Sequence, residues 1–307
     1  MEIARAQLFA LLIALVVFSG QNCQADDSDE KKFVAFCSTT QIADFTRQVV
    51  GDRWDVQCVL APGQDPHLYE PTTNDTAAAR KADLCLQNGL HLEGGNWMQT
   101  LASTADKKLV SCTDRIAPLI ITEGEEQLKV KDPHAWFTPQ NAVIYVQNIT
   151  KAVCEVDPDN KSEYQARAEL YTRQLGALHV WIQSRFNAIP VNQRILVTSH
   201  DAFNYFCKAY GFTSAAPVGW STGQEVGGDV TFARMQETVD SIKKFGVKAI
   251  FVETSVNRTL IEEIAKQANV EIGGTLYSDS MGEAGSAGET YIGMMRENVL
   301  KISAALK

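Results

Sequence analysis

The spacing of apolar positions divides the chain into two similar halves around one long helical stretch. From residue 33 to 157, short apolar runs alternate with helical patterns. FVAFCSTT breaks into QIADFTRQVVG, where Ile42, Phe45 and Val49 mark one helical face that Gly51 ends. VQCVLAP then leads into a polar loop, GQDPHLYEPT, ahead of a helix from Asn74 to Lys81. DLCLQNG, a helix around Trp97 to Leu101, and LVSCTD continue the order. Strands that alternate with helices predict a parallel sheet covered on both faces.

Residues 158–190 differ. Gly176 is the only Gly or Pro between Asn160 and Asn187, and Leu170, Leu175, Leu178, Trp181, Ile182 and Phe186 form a helical stripe. Pro158 opens this stretch and Pro190 closes it. At helical rise it spans roughly 40 Å, the height of a domain. From 191 to 307 the earlier theme returns. ILVTSHD is a strand, FNYFCKAYG a helix, and Phe212 to Val218 a second strand. A helix from Met235 to Phe245 leads to the apolar run VKAIFVETS, a buried parallel strand. A helix from Leu260 to Ala268, the strand in VEIGGTLYSDSMG and a helix from Tyr291 to Ala305 complete the chain. The expectation is an α/β fold of two lobes, 33–157 and 191–307, each with a parallel sheet flanked by helices, joined by one long backbone helix.

The N-terminus changes the compartment. Arg5 precedes an apolar run from Leu8 to Phe18, followed by small and polar residues. That pattern is a secretory signal peptide, and the run is shorter than the about 20 residues a membrane span needs. Residues 1–25 are read as the signal, with cleavage after Ala25 and a mature start near Asp26. A lipid-anchored Cys23 is the alternative, against which Gln21 and Asn22 stand where a lipobox takes small or aliphatic residues. Removing Glu2 and Arg5 leaves the formal charge at -9. An acidic chain offers no basic face to nucleic acid. The expected location is periplasmic and the expected state a monomer.

Six cysteines lie beyond the signal: Cys37, Cys58, Cys85, Cys112, Cys154 and Cys207. None forms a CxxC, which argues against a zinc-thiolate site. Four fall one each in consecutive strand candidates and read as small core residues. Cys37 and Cys58 could still be bridged in an oxidising compartment if their strands are neighbours.

Four strand-to-loop junctions each carry a metal-binding side chain: His67 and His134 in two Asp-Pro-His tripeptides, His200 in Ser199-His200-Asp201, and Asp279 in Ser278-Asp279-Ser280. Ligands of α/β folds bind at the carboxyl ends of strands, and two of these residues lie in each half. Proline fixes the backbone before each of the first two imidazoles, and Asp65 or Asp132 could orient the ring. Three imidazoles and a carboxylate suit a borderline dication such as Zn(II), with a net charge of about +1. By spacing alone a structural histidine is the commoner reading of each.

The runs PGQDPHLYEPT, NGLHLE, DPHAWFTP, VTSHDAFNYF and GTLYSDSMG, in that order and with TYIGMMRENV downstream, resemble the solute-binding receptors of zinc and manganese ABC importers. The resemblance covers nearly the whole mature chain. It implies two α/β lobes on one long helix, a metal held by His67 and His134 of the first lobe with His200 and Asp279 of the second, and delivery to an ABC transporter permease in the inner membrane. Manganese receptors of this family commonly place Glu where His200 stands, so zinc is favoured, with manganese the alternative. Zinc receptors often carry a His-rich acidic loop in the first lobe, which Ile120 to Lys131 is not.

Other residues receive plainer readings. His91 is taken as a surface or structural residue and His179 as packed on the long helix. Glu225 and Glu253 are taken as solvated or capping carboxylates, with support of a metal ligand the alternative. Asn74, Asn148 and Asn257 begin chance N-x-[ST] triplets. The rival functions are a zinc-dependent hydrolase and a surface adhesin with a structural metal. Four protein ligands and the absence of HExxH, GxSxG or a phosphate loop argue against chemistry.

Overall fold

In the first half, four parallel strands stack in the order β2-β1-β3-β4, formed by β1 (Phe33–Cys37), β2 (Trp54–Cys58), β3 (Leu84–Gln87) and β4 (Leu109–Ser111). The computed structural model describes residues 32–123, 128–214, 232–255 and 258–307. Helices α1 (Thr40–Val50), α2 (Thr73–Lys81) and α3 (Trp97–Thr104) connect the strands. Both sheet faces are covered. Ala35 and Cys37 join one core cluster with Ile42, Phe45 and Val49 of α1, while Phe36 and Cys85 point the other way into a second with Trp97 and Met98. The strand period of two explains this division, and burial on both sides explains the nearly continuous apolar run.

The stretch Ile120 to Lys131, which lacks the His-rich acidic loop of zinc receptors, contributes two further strands. It forms an antiparallel pair, β5 (Ile120–Glu123) with β6 (Leu128–Lys131). Helix α4 (Pro139–Val156) follows; the side chain of Thr138 accepts from Asn141 N–H and Pro139 occupies the first turn.

The long helix is α5 (Lys161–Phe186), 26 residues. It packs against α1, α4 and the C-terminal helix α9 (Tyr291–Ala305). One member of the expected stripe is wrong: Leu170 is 61% exposed, and Tyr171, at 4%, takes the inward place. Tyr164, Ala168, Tyr171, Leu175, Leu178, Ile182 and Phe186 keep the three- and four-residue spacing of one face, and Leu170 lies about 100° off it.

The second half contains β7 (Ile195–Leu196), α6 (Asn204–Tyr210), β8 (Thr213–Ser214), α7 (Phe232–Phe245), β9 (Ala249–Glu253), α8 (Thr259–Ala268) and β10 (Glu271–Leu276). β7 pairs with β8 and β9 with β10, all parallel, and Phe251 N–H donates to Val197 O beside β7. Of the strand expected from Phe212 to Val218, residues 215–218 lie outside the described residues, as do the signal segment, Glu225 and Asn257. The lobes share their main core, which runs from Ala35 through Leu175 and Ile182 to Phe203 and Met295. Among the described residues no helix is long and apolar enough to cross a membrane.

Candidate metal centre

Three of the chain's five histidines meet one carboxylate. One ligand atom from each of His67, His134, His200 and Asp279 lies within 4.8 Å of the others. His67 sits in the loop from β2 to α2, His200 between β7 and α6, and Asp279 beyond β10. His134 follows β6, so its strand belongs to the antiparallel hairpin and not to the parallel sheet. His134 and His200 are fully buried and Asp279 nearly so.

Each imidazole has its own support. The two Asp-Pro-His tripeptides fold alike: Asp65 Oδ1 accepts His67 N–H at 2.8 Å, and Asp132 Oδ1 accepts His134 N–H at 2.9 Å. Asp132 Oδ1 also lies 2.8 Å from His134 Nδ1. Asn204 Nδ2 donates to the other Asp132 oxygen, and Tyr205 Oη donates to its carbonyl. Glu253 stands in the same relation to His200, with Oε1 accepting its N–H at 2.9 Å and Oε2 in ion-pair contact 2.6 Å from Nδ1, though outside hydrogen-bond geometry. A carboxylate at Nδ1 keeps the proton there and leaves Nε2 for a ligand. Glu253 is 1% exposed, so the reading of it as a solvated or capping carboxylate is overturned. It ends β9, and Phe251 N–H of that strand donates to Val197 O, three residues before His200.

The His67 loop is braced by a segment whose role the sequence reading missed. A side-chain carbon at Gly94 would stand 1.9 Å from the carbonyl oxygen of His67, so only glycine lets the two backbones approach this closely. Glu93, buried beside it, accepts from Ser38 Oγ at 2.6 Å, Asn88 N–H at 2.7 Å and Gly89 N–H at 3.0 Å. Trp97 Nε1 donates to Pro66 O. The acidic residue followed by Gly94-Gly95 was the available signal. His91, from the same motif, is exposed. His179 lies away from the centre and joins helices, its ring nitrogens 2.7 Å from Gln140 Nε2 and 3.1 Å from Tyr210 Oη.

Nε2 of His67 and of His134 has no hydrogen-bond partner, nor has Asp279 Oδ1. Polar atoms buried in this condition cost free energy unless something satisfies them. His200 Nε2 lies 3.1 Å from Asp279 Oδ2, and His134 Nε2 lies 3.5 Å from Oδ1. Ligands of a tetrahedral zinc stand roughly 3.3 Å apart, so these separations suit a shared dication. Ser255 Oγ donates to Asp279 Oδ2 at 3.3 Å.

The protonation states follow from burial and charge. Burial pushes the His67 pKa down to about 3. For His134 and His200 burial acts the same way, but Asp132 beside the first, and Glu253 and Asp279 beside the second, outweigh it and hold both above the ordinary value. Burial raises the Asp279 carboxyl, yet His200 and His134 keep it well below the usual range. Asp65 is pushed up to about 6 by burial and by Asp279.

A family model described as zinc-uptake complex component A, periplasmic (ZnuA), matches residues 36–305. The metal ABC transporter substrate-binding lipoprotein SsaB of Streptococcus sanguinis is 35% identical over 302 residues, covering 96% of each chain. The manganese ABC transporter substrate-binding lipoprotein PsaA of Streptococcus pneumoniae is 34% identical over 307 residues, 98% of this chain and 97% of its own. Among solved structures, the periplasmic zinc-binding protein TroA from Treponema pallidum superposes with a TM-score of 0.81 at 32% identity, covering 90% of this chain and 99% of its own. A manganese-bound periplasmic metal-binding protein from Candidatus Liberibacter asiaticus gives 0.76 at 28% identity over 90% of this chain and all of that one.

Proposed function

The chain belongs to the family of periplasmic zinc-uptake components, and on that premise we propose that it captures a transition-metal dication outside the inner membrane and delivers it to an ABC importer. The ligands are Nε2 of His67, His134 and His200 and the carboxylate of Asp279. One observation carries this reading: four loops distant in sequence bring unpartnered ligand atoms into one buried cluster. Asp132 and Glu253 fix the tautomers of two of them.

Binding competes with protonation at Nε2 of His134 and His200, whose pKa values neighbouring carboxylates hold above the ordinary one. Three neutral imidazoles and one carboxylate leave about +1 on the ion, and the buried carboxylates of Asp132 and Glu253 lie behind it. Four protein ligands fill a tetrahedral shell, which is the arrangement of a carrier; a catalytic zinc keeps a water position.

The nitrogen-rich set binds Zn(II) ahead of Mn(II), as the general affinity order requires. Relatives named for manganese support the alternative cargo. The test is calorimetry with each metal, followed by competition between them. His67→Ala and Asp279→Ala each abolish tight zinc binding while leaving the fold intact; unchanged affinity in either would refute the four-ligand centre.

Wide parting of the lobes would uncover the core they share around α5. Release is therefore a local rearrangement of the loops bearing His200 and Asp279. Identical hydrogen exchange of those loops with and without metal would exclude it. The receptor acts as a monomer with a membrane permease as partner, and its mature chain starts near Asp26. The naming of relatives as lipoproteins supports the alternative, a lipidated Cys23. The mass of the mature N-terminus distinguishes the two.

A further inference from the structure

The structure points to a disulfide between Cys37 and Cys58, which we propose forms as the chain folds in the presence of a disulfide donor and ties the root of the His67 loop to β1. The two residues, both free thiols in the structure, are direct partners at the last rung of the parallel ladder between β1 and β2. Neighbouring strands stand about 4.8 Å apart, within the 4.4 to 6.8 Å over which Cα atoms can be bridged. Both side chains pack on the same side of the sheet, against the main core.

No other pairing among the described cysteines has this geometry. Cys85 is paired with Phe36 and joins the cluster on the opposite face. Cys112 shares the face of Cys37 but follows β4, with β3 between, so it stands about two strand spacings, roughly 10 Å, away. Cys154 lies on α4 and Cys207 on α6.

The reaction is thiol–disulfide exchange. One cysteine thiolate attacks the sulfur of an incoming low-molecular-weight or protein disulfide and expels one thiolate of the donor. The second cysteine then attacks the mixed disulfide and expels the other. One Sγ–Sγ bond forms, the two cysteines lose two protons and two electrons, and the donor is reduced to two thiols. Cys37 Sγ gives up its contact with Thr46 Oγ1, which still donates to Ile42 O.

Timing follows from burial. Cys37 is fully enclosed and its thiol held well above the ordinary value by burial and by the neighbouring Cys58; burial pushes Cys58 up to about 12. Cys37 is enclosed in the folded protein and out of a donor's reach, so the bond forms before β1 and β2 close over it. Its place gives it a consequence. Val59, bonded through its N–H to Cys37 O, begins the loop that carries His67, and β1 continues into Ser38 and Gln41, which bond Glu93 and Ser278 O.

The test is reduction and unfolding of the purified mature chain, from Asp26 onward and so with six of the seven cysteines, refolding in a mixture of oxidised and reduced glutathione, and alkylation in denaturant without further reductant. Each of the six cysteines is then scored by peptide mass. The expected result is a Cys37–Cys58 linked peptide with Cys85, Cys112, Cys154 and Cys207 alkylated. Alkylation of both Cys37 and Cys58, or a link from either to another of the six, overturns the proposal. Cys58→Ala supplies the second arm: Cys37 is then alkylated and the shift of the thermal midpoint on adding reductant disappears. A reductant-dependent shift that persists in Cys58→Ala overturns the proposed origin of that stabilisation.

Discussion

Replacing Glu253 by Gln removes one charge and almost no volume, and tests whether that buried carboxylate tunes the metal site. Glu253 Oε1 accepts His200 N–H at 2.9 Å, and Oε2 lies 2.6 Å from Nδ1, with both residues essentially unexposed. The amide oxygen can still accept one of these hydrogens, so the loop keeps its path. The imidazole loses its anionic partner and becomes a weaker electron donor. Supports of this kind change affinity by about 10- to 100-fold, or about 1.4 to 2.7 kcal/mol. Proton competition adds a signature. In the metal-free protein burial lowers the His200 pKa, but Glu253 and Asp279 more than offset it and hold it well above the ordinary value. Zinc must displace that proton, so wild-type affinity falls as pH falls. Glu253→Gln lowers the His200 pKa, which relieves the competition. The deficit of the variant is therefore largest at the alkaline end and narrows on acidification. Calorimetric competition titrations from pH 5.5 to 8.5, in buffers of different ionisation enthalpy, read both affinity and protons released. A deficit that is flat across pH, or that widens towards acid, would refute this account of Glu253.

Gly94→Ala drives a methyl into the His67 carbonyl and forces the two backbones apart, so zinc affinity falls at least about tenfold and the thermal midpoint of the metal-free protein falls as well; competition with a chromogenic chelator and a melting curve read the two. Tyr291→Phe strands the carbonyl of Trp136, which now accepts from Tyr291 Oη at 2.6 Å in a fully buried position, and costs about 1 to 3 kcal/mol in urea unfolding. Leu170→Glu, on the outer face of α5, shifts stability by no more than about 0.5 kcal/mol; a large loss would mean the helix turns the other way in solution.

What was legible in the sequence follows from how far apart the cooperating residues lie. Asp132 stands two positions before His134, and a proline between them narrows the backbone to a turn in which the carboxylate meets both N–H and ring; that support could be read from three letters. The alternation of strands and helices was equally local, and so was α5, because a helix buries its own period. Glu253 performs the same service for His200 from another strand, and nothing near either residue announces it. The connection exists because Phe251 on β9 bonds Val197 in the stretch between β7 and His200, which places the end of β9 beside His200. Gly94 was legible only as half of a Gly-Gly pair after an acidic residue; what it makes room for, the carbonyl of His67, lies across a loop and was not. The β5–β6 hairpin escaped because its polar and apolar residues alternate only briefly, and Leu170 because a one-residue error in helical phase turns a side chain through about 100°. The four proposed ligands stood in plain sight only as types at strand ends. Their convergence needed the sheet order and the shared core, and the proposed affinity of that cluster for a dication rests on Glu253 behind His200 as well as on His200 itself.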